Sequence, residues 1–238
     1  MFPPAETASI DGIVTVGARP EPTLLRAAYR SGIFPWPHQN LPLLWFSPDP
    51  RFVLPLEKVQ LHRSLKKNIR RGRFEIKADT RFADVVERCS EVPRPGQDGT
   101  WITSDILDGY LRLFHEGAAH SIEAYEDGEL VGGLYGVSFG SAFFGESMFA
   151  LKPDASKVAF ATLLAHLAEW GFTLVDCQVF TEHLARFGAI EVPRSVFLDM
   201  LDDALSVPDK VGPWQFHLDV SVVAAHPRFA SSASSSST

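Results

Sequence analysis

The stretch Thr173-Leu174-Val175-Asp176-Cys177-Gln178-Val179 is an apolar run of strand length that is interrupted by an acid, a thiol and an amide. Because a charge inside a central strand is costly to bury without a partner, we expect Asp176 to open onto a polar cleft. A second strand-like run, 141–149, reads SAFFGESMF and carries a lone acid of its own, Glu146. Two such strands indicate one shared site. The alternative is a pair of structural carboxylates that cap loops or helix ends.

The composition is typical of a globular chain with one good core. The chain has 238 residues, 45% of them hydrophobic, which is enough for one core and a small second domain. Its formal net charge of -7 is not typical of a nucleic-acid binder. Cys89 and Cys177 form neither a disulfide framework nor a metal-ligand spacing. The first residues lack a secretory-signal pattern and no apolar run has membrane-spanning length, so we predict a cytoplasmic protein.

The chain divides into three segments by composition. Residues 1–57 are rich in Pro and aromatic residues, which argue against long helices and central strands and predict a small, irregular N-terminal domain. Residues 58–205 carry regular helix and strand patterns and form the predicted main domain. Residues 206–238 form a C-terminal extension with a Ser-rich tail, for which we predict disorder.

Periodicity and turn residues predict the individual elements. The predicted helices are 23–30, 64–71, 82–90, 104–116, 156–170, 182–187 and 195–204. The predicted strands are 74–77, 121–125, 130–138, 142–149, 173–179 and 190–192. From the first strand onward this order resembles the GNAT acetyltransferase fold, so we predict an α+β fold, an α/β sandwich. That superfamily binds coenzyme A with a Gly-rich loop at a helix N-terminus. The corresponding loop here, LKPDASK (151–157), contains no glycine, so no coenzyme A is expected.

One segment differs in charge from the acidic whole. Between Glu57 and Glu75 there is no acid, whereas seven of the chain's 22 Lys and Arg residues lie there: Lys58, Arg63, Lys66, Lys67, Arg70, Arg71 and Arg73. Four of them fall on one helix face at i, i+3, i+4 and i+7: Arg63, Lys66, Lys67 and Arg70. Such a stripe is either a solvated face or a track for a phosphate backbone.

Eight ordered motifs resemble a single family. They are GIFPW (32–36), WFSPDPR (45–51), GTWIT (99–103), HSIE (120–123), LVGGLYG (130–136), FGESMF (144–149), ASK (155–157) and DCQV (176–179). With these motifs the chain resembles the leucyl/phenylalanyl-tRNA–protein transferases. The resemblance implies transfer of Leu or Phe, and also Met, from aminoacyl-tRNA to proteins that begin with Arg or Lys, which marks them for N-end-rule degradation. It also implies a small N-terminal domain beside a GNAT-like domain, with no cofactor, neither coenzyme A nor a metal.

The chemistry of that reaction requires little more than a well-held amine. An aminoacyl ester is already activated, and a protein α-amino group with a pKa of about 7.7–8.0 is partly neutral at cytosolic pH, so positioning can supply most of the rate. Asp176 is a candidate to stabilise the amine as it becomes positive. Gln178 can orient the amine or the ester carbonyl, and its two-residue spacing from Asp176 predicts the same strand face. Glu146 suits a basic N-terminal residue or the aminoacyl-ribose.

The resemblance also implies contacts for the rest of the donor. Four apolar residues correspond to walls of the pocket for the transferred side chain, although plain core residues are the alternative: Leu134, Phe143, Leu163 and Leu167. Trp36 corresponds to the aromatic that stacks on the terminal adenosine, and Trp101 to another aromatic of the same site. The tRNA body is expected on the basic stripe, which comprises Arg63, Lys66, Lys67 and Arg70, together with Arg71.

Two departures and three rival functions remain open. The family's Gly-Gly-Asp-Leu leader is here Gly17-Ala18-Arg19-Pro20, and Thr181 stands where the family prefers Asn, which bears on acceptor preference. An acyl-coenzyme A N-acyltransferase of the same fold is disfavoured by the missing glycine loop. A peptidyl transferase that builds cell-wall bridges from aminoacyl-tRNA is chemically nearer. A non-catalytic tRNA-binding module is disfavoured by the Asp176 and Gln178 pair.

Overall fold

The computed structural model describes residues 2–38, 41–91 and 103–229. Trp101 and the Ser-rich tail lie outside the described residues. The strands are β1 (Ile13–Val16), β2 (Phe34–Trp36), β3 (Leu44–Phe46), β4 (Arg51–Pro55), β5 (Glu75–Ala78), β6 (Ala119–Glu126), β7 (Glu129–Phe139), β8 (Ala142–Ala150), β9 (Leu174–Gln178) and β10 (Ile190–Val192). The helices are α1 (Pro22–Arg30), α2 (Arg63–Arg70), α3 (Phe82–Glu91), α4 (Ser104–His115), α5 (Ala155–Glu169), α6 (Glu182–Ala185), α7 (Arg194–Leu205) and α8 (Val220–Val223).

The strands form two sheets. The larger sheet has seven strands in the order β10-β4-β9-β8-β7-β6-β5, and the smaller has three in the order β1-β3-β2. In the larger sheet β8 and β9 are parallel, and the other neighbouring pairs are antiparallel. One apolar cluster lies between this sheet and α2, α5 and α8, and a second lies between it and α1, α3, α4, α7 and the smaller sheet. This arrangement is the α+β sandwich that the sequence predicts.

The parallel strands β8 and β9 separate after three paired residues. Their pairing ends at Phe144 and Asp176, while β8 continues to Ala150. Two irregularities flank this point: the β7–β8 register leaves Glu146 without an opposite residue, and the β4–β9 register does the same for Cys177. A β-bulge bends its strand and re-aims a side chain. The separation and the bulges therefore open a gap in the sheet at the two acids that the sequence singles out.

A glycine opposite the β8 bulge permits this geometry. Gly136 of β7 pairs with Gly145, and a Cβ atom at Gly136 would lie 2.2 Å from the carbonyl oxygen of Phe144. No side chain fits at that distance, so the close approach of the two strands requires glycine at position 136.

The predicted helices and strands between residues 64 and 204 are present, with ends within two residues of the predicted bounds. The expectation that the Pro-rich segment contains no central strand is wrong, because β4 lies between β9 and β10. Proline is tolerated at the first or last residue of a strand, and here Pro50 precedes β4 and Pro55 ends it. The larger sheet therefore includes residues from the N-terminal side of the predicted division at 57. No helix within the described ranges has the length and apolar character needed to cross a membrane.

The C-terminal residues up to 229 pack into the larger core. Trp214 is 2% exposed, and its ring stacks on His120 with a centroid distance of 3.7 Å. Its backbone N–H donates to the Asp79 carboxylate over 2.6 Å, and the ring lies edge-on to Trp170 at 5.0 Å. A large aromatic residue enclosed on several sides contributes substantially to stability through buried area and ring contacts.

Replacement of Trp214 tests that contribution. We expect Trp214→Ala to lower the free energy of unfolding by about 3–5 kcal/mol, because the surrounding side chains cannot fill the space of an indole ring. Val211→Ala is the matched control from the same segment, since Val211 is 65% exposed, and it should change stability by less than about 0.5 kcal/mol. Urea unfolding followed by circular dichroism measures both, and equal effects of the two variants would contradict the packing role.

Candidate active site

A cavity of about 440 Å³ opens where β8 and β9 separate. Its apolar wall comprises Leu134, Met148, Phe160, Val175 and Leu184, and its polar side includes Glu146 and Gln178. Trp36 of β2 lies on the wall as well and is half-buried. An apolar cavity of this size with a few convergent polar groups is typical of a small-molecule site.

Glu146 lies at the centre of the polar side and is held by three donors. The hydroxyl of Tyr29 donates to its Oε1 over 2.7 Å, and the hydroxyl of Tyr110 donates to its Oε2 over 2.7 Å. The Nε2 of Gln178 donates to Oε1 over 2.9 Å. The two tyrosine hydroxyls are themselves 2.5 Å apart. Two helices from one face of the sheet, α1 and α4, therefore fix the carboxyl that the β8 bulge presents.

Burial among these groups favours the protonated form of the Glu146 carboxyl, whereas the hydrogen bonds from the two tyrosines favour its ionised form. Burial raises the pKa of Glu146 to about 7, against hydrogen bonds from the two tyrosines that lower it. Burial, followed by the charge of Glu146, raises the pKa of both tyrosines well above the usual value. Glu146 therefore exchanges its proton near neutral pH while the tyrosines stay protonated.

Asp176 lies on the cavity wall, but its carboxylate is closed off by Arg51. Both side chains are 0% exposed, and Arg51 donates from Nε to Oδ1 over 2.9 Å and from a terminal nitrogen to Oδ2 over 2.6 Å. The expectation that Asp176 opens onto the cleft is therefore wrong for its carboxylate. A strand charge needs a partner when it is buried, and here a guanidinium from β4 supplies it instead of solvent.

The same carboxylate also holds the backbone of Gln178. The Gln178 N–H donates to Oδ1 of Asp176 over 2.9 Å, and Gln178 has a φ of 64°, a left-handed conformation that is unusual for glutamine. The prediction that Asp176 and Gln178 share one strand face rests on strict alternation, which the bulge at Cys177 interrupts. Val53, opposite Asp176, belongs to one apolar cluster, and Phe52, opposite Gln178, belongs to the other.

Arg51 connects several elements around the site. Its remaining terminal nitrogen donates to the carbonyl oxygen of Gly32 over 3.1 Å. Its guanidinium lies 4.7 Å from the ring centre of Phe34 and 4.3 Å from that of Phe197. Cation–π contacts of this kind compensate a buried cation. Because Phe34 belongs to β2, the contact also fixes the strand that carries Trp36.

The structure divides the predicted pocket residues into two groups. Leu134 lines the cavity, whereas Phe143, Leu163 and Leu167 are 0% exposed in the core and do not line it. Their side chains fill the space between α5 and the sheet, and their role as pocket walls stays a prediction. Phe160, one turn earlier on α5, reaches the cavity instead.

The predicted basic stripe is present on α2 with one exception. Arg63, Lys67, Arg70 and Arg71 are exposed, and we call these four residues the basic face. Lys66 is half-buried, and its ammonium donates to the carbonyl oxygen of Phe229 over 2.8 Å. Leu65 and Ile69 anchor the opposite side of the helix in the core. Four cations are therefore available to solvent, and the fifth holds the C-terminal segment.

Several residues of the site are absent from the sequence prediction. Arg51, Tyr29, Tyr110, Met148 and Phe160 are the main ones. Met148 could have been predicted from the sequence, because it lies two residues beyond Glu146 on the same strand and Met suits adaptable apolar pockets.

Thr181, which stands where the family prefers Asn, caps α6 by accepting a hydrogen bond from the Leu184 N–H over 3.3 Å. Within the described residues no group of three or more His, Cys, Asp or Glu could hold a metal ion.

Comparison with known proteins gives one consistent answer. The family model described as leucyl/phenylalanyl-tRNA protein transferase matches residues 53–202, and the model of its N-terminal domain matches residues 19–49. The leucyl/phenylalanyl-tRNA–protein transferase of Myxococcus xanthus (strain DK1622) is 56% identical over 214 residues, which are 90% of this chain and 92% of the relative. That of Nitratidesulfovibrio vulgaris (strain DP4) is 50% identical over 219 residues, 92% of this chain and 94% of the relative.

Solved structures add little to this answer. The C-terminal domain of a putative lysylphosphatidylglycerol synthetase from Agrobacterium fabrum aligns with a TM-score of 0.38 at 14% identity, over 87% of this chain and 69% of that one. A likeness at that level supports no conclusion about this chain.

The raised pKa of Glu146 makes stability depend on pH. Because the folded-state pKa of about 7 exceeds the ordinary glutamate value of 4.5, the folded protein binds more protons than the unfolded chain between these values, and stability falls as pH rises through that window. The amide of Glu146→Gln can still donate and accept hydrogen bonds, but it does not titrate. Its melting temperature relative to that of the unmodified protein should therefore increase from about pH 5 to about pH 8. Glu191→Gln, exposed on β10, is the control. A difference that does not vary with pH would contradict the assignment.

Proposed function

Because this chain belongs to the leucyl/phenylalanyl-tRNA–protein transferase family, we infer that it is an aminoacyltransferase that moves Leu, Phe or Met from aminoacyl-tRNA to the N-terminal Arg or Lys of acceptor proteins. The observation that carries this proposal is the gap between β8 and β9, which joins an apolar cavity to Glu146 and Gln178. In the cell such a transfer would mark acceptors for N-end-rule degradation. The acyl-coenzyme A alternative gains no support from the relatives.

The apolar wall suits an unbranched-at-Cβ side chain. Leu134, Met148, Phe160, Val175 and Leu184 offer only carbon and sulfur atoms to a leucyl, methionyl or phenylalanyl group. A thioether adapts to ligands of different shape, which fits acceptance of all three side chains. Discrimination between side chains on shape alone is modest, since one methyl group in an apolar pocket changes the transition-state binding free energy by only about 1–3 kcal/mol. We propose that Trp36, half-buried on the same wall, stacks on the terminal adenosine.

Glu146 and Gln178 are suited to the attacking amine. Since the Nε2 of Gln178 faces Glu146, its amide oxygen can accept a hydrogen bond from the amine and aim the nitrogen lone pair at the ester carbonyl. The new C–N bond forms as the ester C–O bond breaks, and the proton that the amine loses must reach the departing ribose oxygen. Because a pKa of about 7 leaves part of Glu146 ionised at cytosolic pH, its carboxylate can take that proton and pass it to the ribose oxygen. Most of the rate would still come from positioning of an already activated ester.

Asp176 is proposed as a positioning residue and not as the group that contacts the amine. The sequence suggests that its charge stabilises the developing ammonium, but both carboxylate oxygens are occupied by Arg51 in a buried ion pair. Its bond to the Gln178 N–H supports a different role, which is to hold the left-handed turn that points the Gln178 side chain at Glu146. Catalysis would thus depend on Asp176 through Gln178.

A transfer assay tests this function. The protein is incubated with leucyl-tRNA and a peptide that begins with Arg, and the peptide should gain the mass of one leucyl residue. Gln178→Ala should lower kcat by about 10²-fold, because an oriented polar group is lost, while tRNA affinity stays nearly unchanged. Glu191→Ala, exposed on β10, is the control and should keep full activity. Absence of any mass gain would overturn the proposed function. Full turnover of Gln178→Ala would overturn only its assigned role.

The basic face makes a separate prediction about tRNA binding. If its four cations contact phosphates, the combined variant Arg63→Ala, Lys67→Ala, Arg70→Ala, Arg71→Ala should flatten the slope of log Kd against log salt by up to about four units, roughly one for each contact. Arg73→Ala is the matched control, since Arg73 is already paired with Glu126. Filter binding of leucyl-tRNA at several salt concentrations measures the slopes. An unchanged slope in the fourfold variant would remove the basic face from the tRNA path.

A further inference from the structure

A second cavity, of about 660 Å³, lies between the basic face and the active-site cavity. Arg63 of the basic face lines it at one side. His183 lines both this cavity and the active-site cavity, so the two adjoin at α6. The second cavity therefore adjoins the basic face at Arg63 and the active-site cavity at His183.

The charges in the second cavity favour an anion. Arg63, Lys157 and Arg186 contribute three cations, against the carboxylates of Asp154 and Glu182. Asp154 is already engaged by Lys157 over 2.7 Å and by Asn68 over 2.6 Å, contacts that lower its pKa. The side chain of Glu182 is 83% exposed and only 3.8 Å from Arg186, a surface pair of small energy.

Arg63 and Arg186 are consequently available to a ligand. Arg63 forms no ion pair with any described residue, and Arg186 has only the long contact to Glu182. Helices α2 and α5 also begin at this cavity, and their positive ends add to the attraction for a negative group. Arginine is the side chain best matched to a phosphate, because its planar fork can donate two parallel hydrogen bonds.

His183 adds a polar group at the junction of the two cavities. Its Nε2 is buried and has no hydrogen-bond partner among the described residues. Burial, followed by the charges of Lys157 and Arg186, lowers the pKa of His183, so its ring is neutral at cytosolic pH. A buried nitrogen without a partner is costly, and a ligand hydroxyl at this junction would satisfy it.

We propose that the second cavity is a subsite for the nucleotide that precedes the terminal aminoacyl-adenosine, with its phosphodiester on Arg186 and Arg63 and a ribose hydroxyl at His183. The inference rests on the proposed function, since it places the donor's terminal adenosine in the adjoining cavity. The competing occupant is the acceptor peptide. Its N-terminal Arg or Lys and its α-amino group are cationic, however, and the cations of this cavity would repel them.

Donors of increasing length provide the test. Leucyl-adenosine lacks the phosphodiester, leucyl-cytidylyl-adenosine has one, and leucyl-tRNA has the full chain. For the unmodified protein we expect kcat/KM to rise by about tenfold or more from the first donor to the second, as for one charge-assisted hydrogen bond. Arg186→Ala should remove most of that rise and leave transfer from leucyl-adenosine unchanged, and Arg186→Lys should restore part of it.

Arg88→Ala is the matched control for this experiment. Arg88 forms the same kind of surface ion pair on α3, with Glu91. Its replacement should leave the ratios of kcat/KM between the three donors unchanged. Because the side chain of Arg186 is 66% exposed, its replacement should not affect folding. A loss seen in Arg186→Ala but not in Arg88→Ala can therefore be assigned to donor binding and not to misfolding.

Three outcomes would overturn the subsite. The first is that the dinucleotide donor has no higher kcat/KM than leucyl-adenosine in the unmodified protein. The second is that Arg186→Ala lowers kcat/KM equally for both donors. The third is that Arg186→Ala raises only the KM for the acceptor peptide. The last outcome would assign the cavity to the acceptor. Failure of every donor to transfer leucine would overturn the proposed function itself, and the subsite with it, so the two failures are distinguishable.

Discussion

The buried ion pair between Arg51 and Asp176 is the interaction on which the rest of the site depends. It connects β4 to β9, and through Gly32 and Phe34 it connects both strands to β2. Two desolvated charges cost several kcal/mol, which only close geometry and additional hydrogen bonds can offset. The bidentate contact provides the geometry, and the Gly32 carbonyl and the Gln178 N–H provide the additional hydrogen bonds. The rings of Phe34 and Phe197 flank the guanidinium as well. Such a pair is weak evidence for net stability, but it specifies one arrangement of the strands, since removal of either partner leaves a buried charge uncompensated.

The second constraint is the separation of β8 from β9. Two parallel strands that part within a sheet leave backbone groups without strand partners, and the cavity takes the place of the missing pairs. The bulge at Glu146 presents a carboxyl to this gap, and the hydroxyls of Tyr29 and Tyr110 hold it. Burial then sets its pKa near the pH of the cell. Backbone irregularity and desolvation together place the proton exchange of an ordinary glutamate near neutral pH.

Sequence reasoning succeeded where the signal was local or periodic. The helices and strands of the main domain and the exposed bases of α2 follow from repeat lengths of two or 3.6 residues. A helical period places Leu163 and Leu167 on one buried face of α5 but does not say whether that face meets a core or a cavity, and in the structure both pack in the core. Sequence reasoning failed for β4, because two prolines at the limits of a strand look the same in sequence as prolines within a loop.

The sequence by itself determined the fold class, the family and the presence of two acids within apolar strands, since each depends on motifs or patterns of residues that are close together along the chain. Only the tertiary structure decided which acid faces the cavity. Asp176 and Glu146 look alike in sequence, but Arg51, 125 residues before Asp176, neutralises one of them, while Tyr29 and Tyr110 hold the other at the cavity. The electrostatic environment of a buried charge depends on groups within a few ångströms, and folding brings those groups from distant parts of the chain.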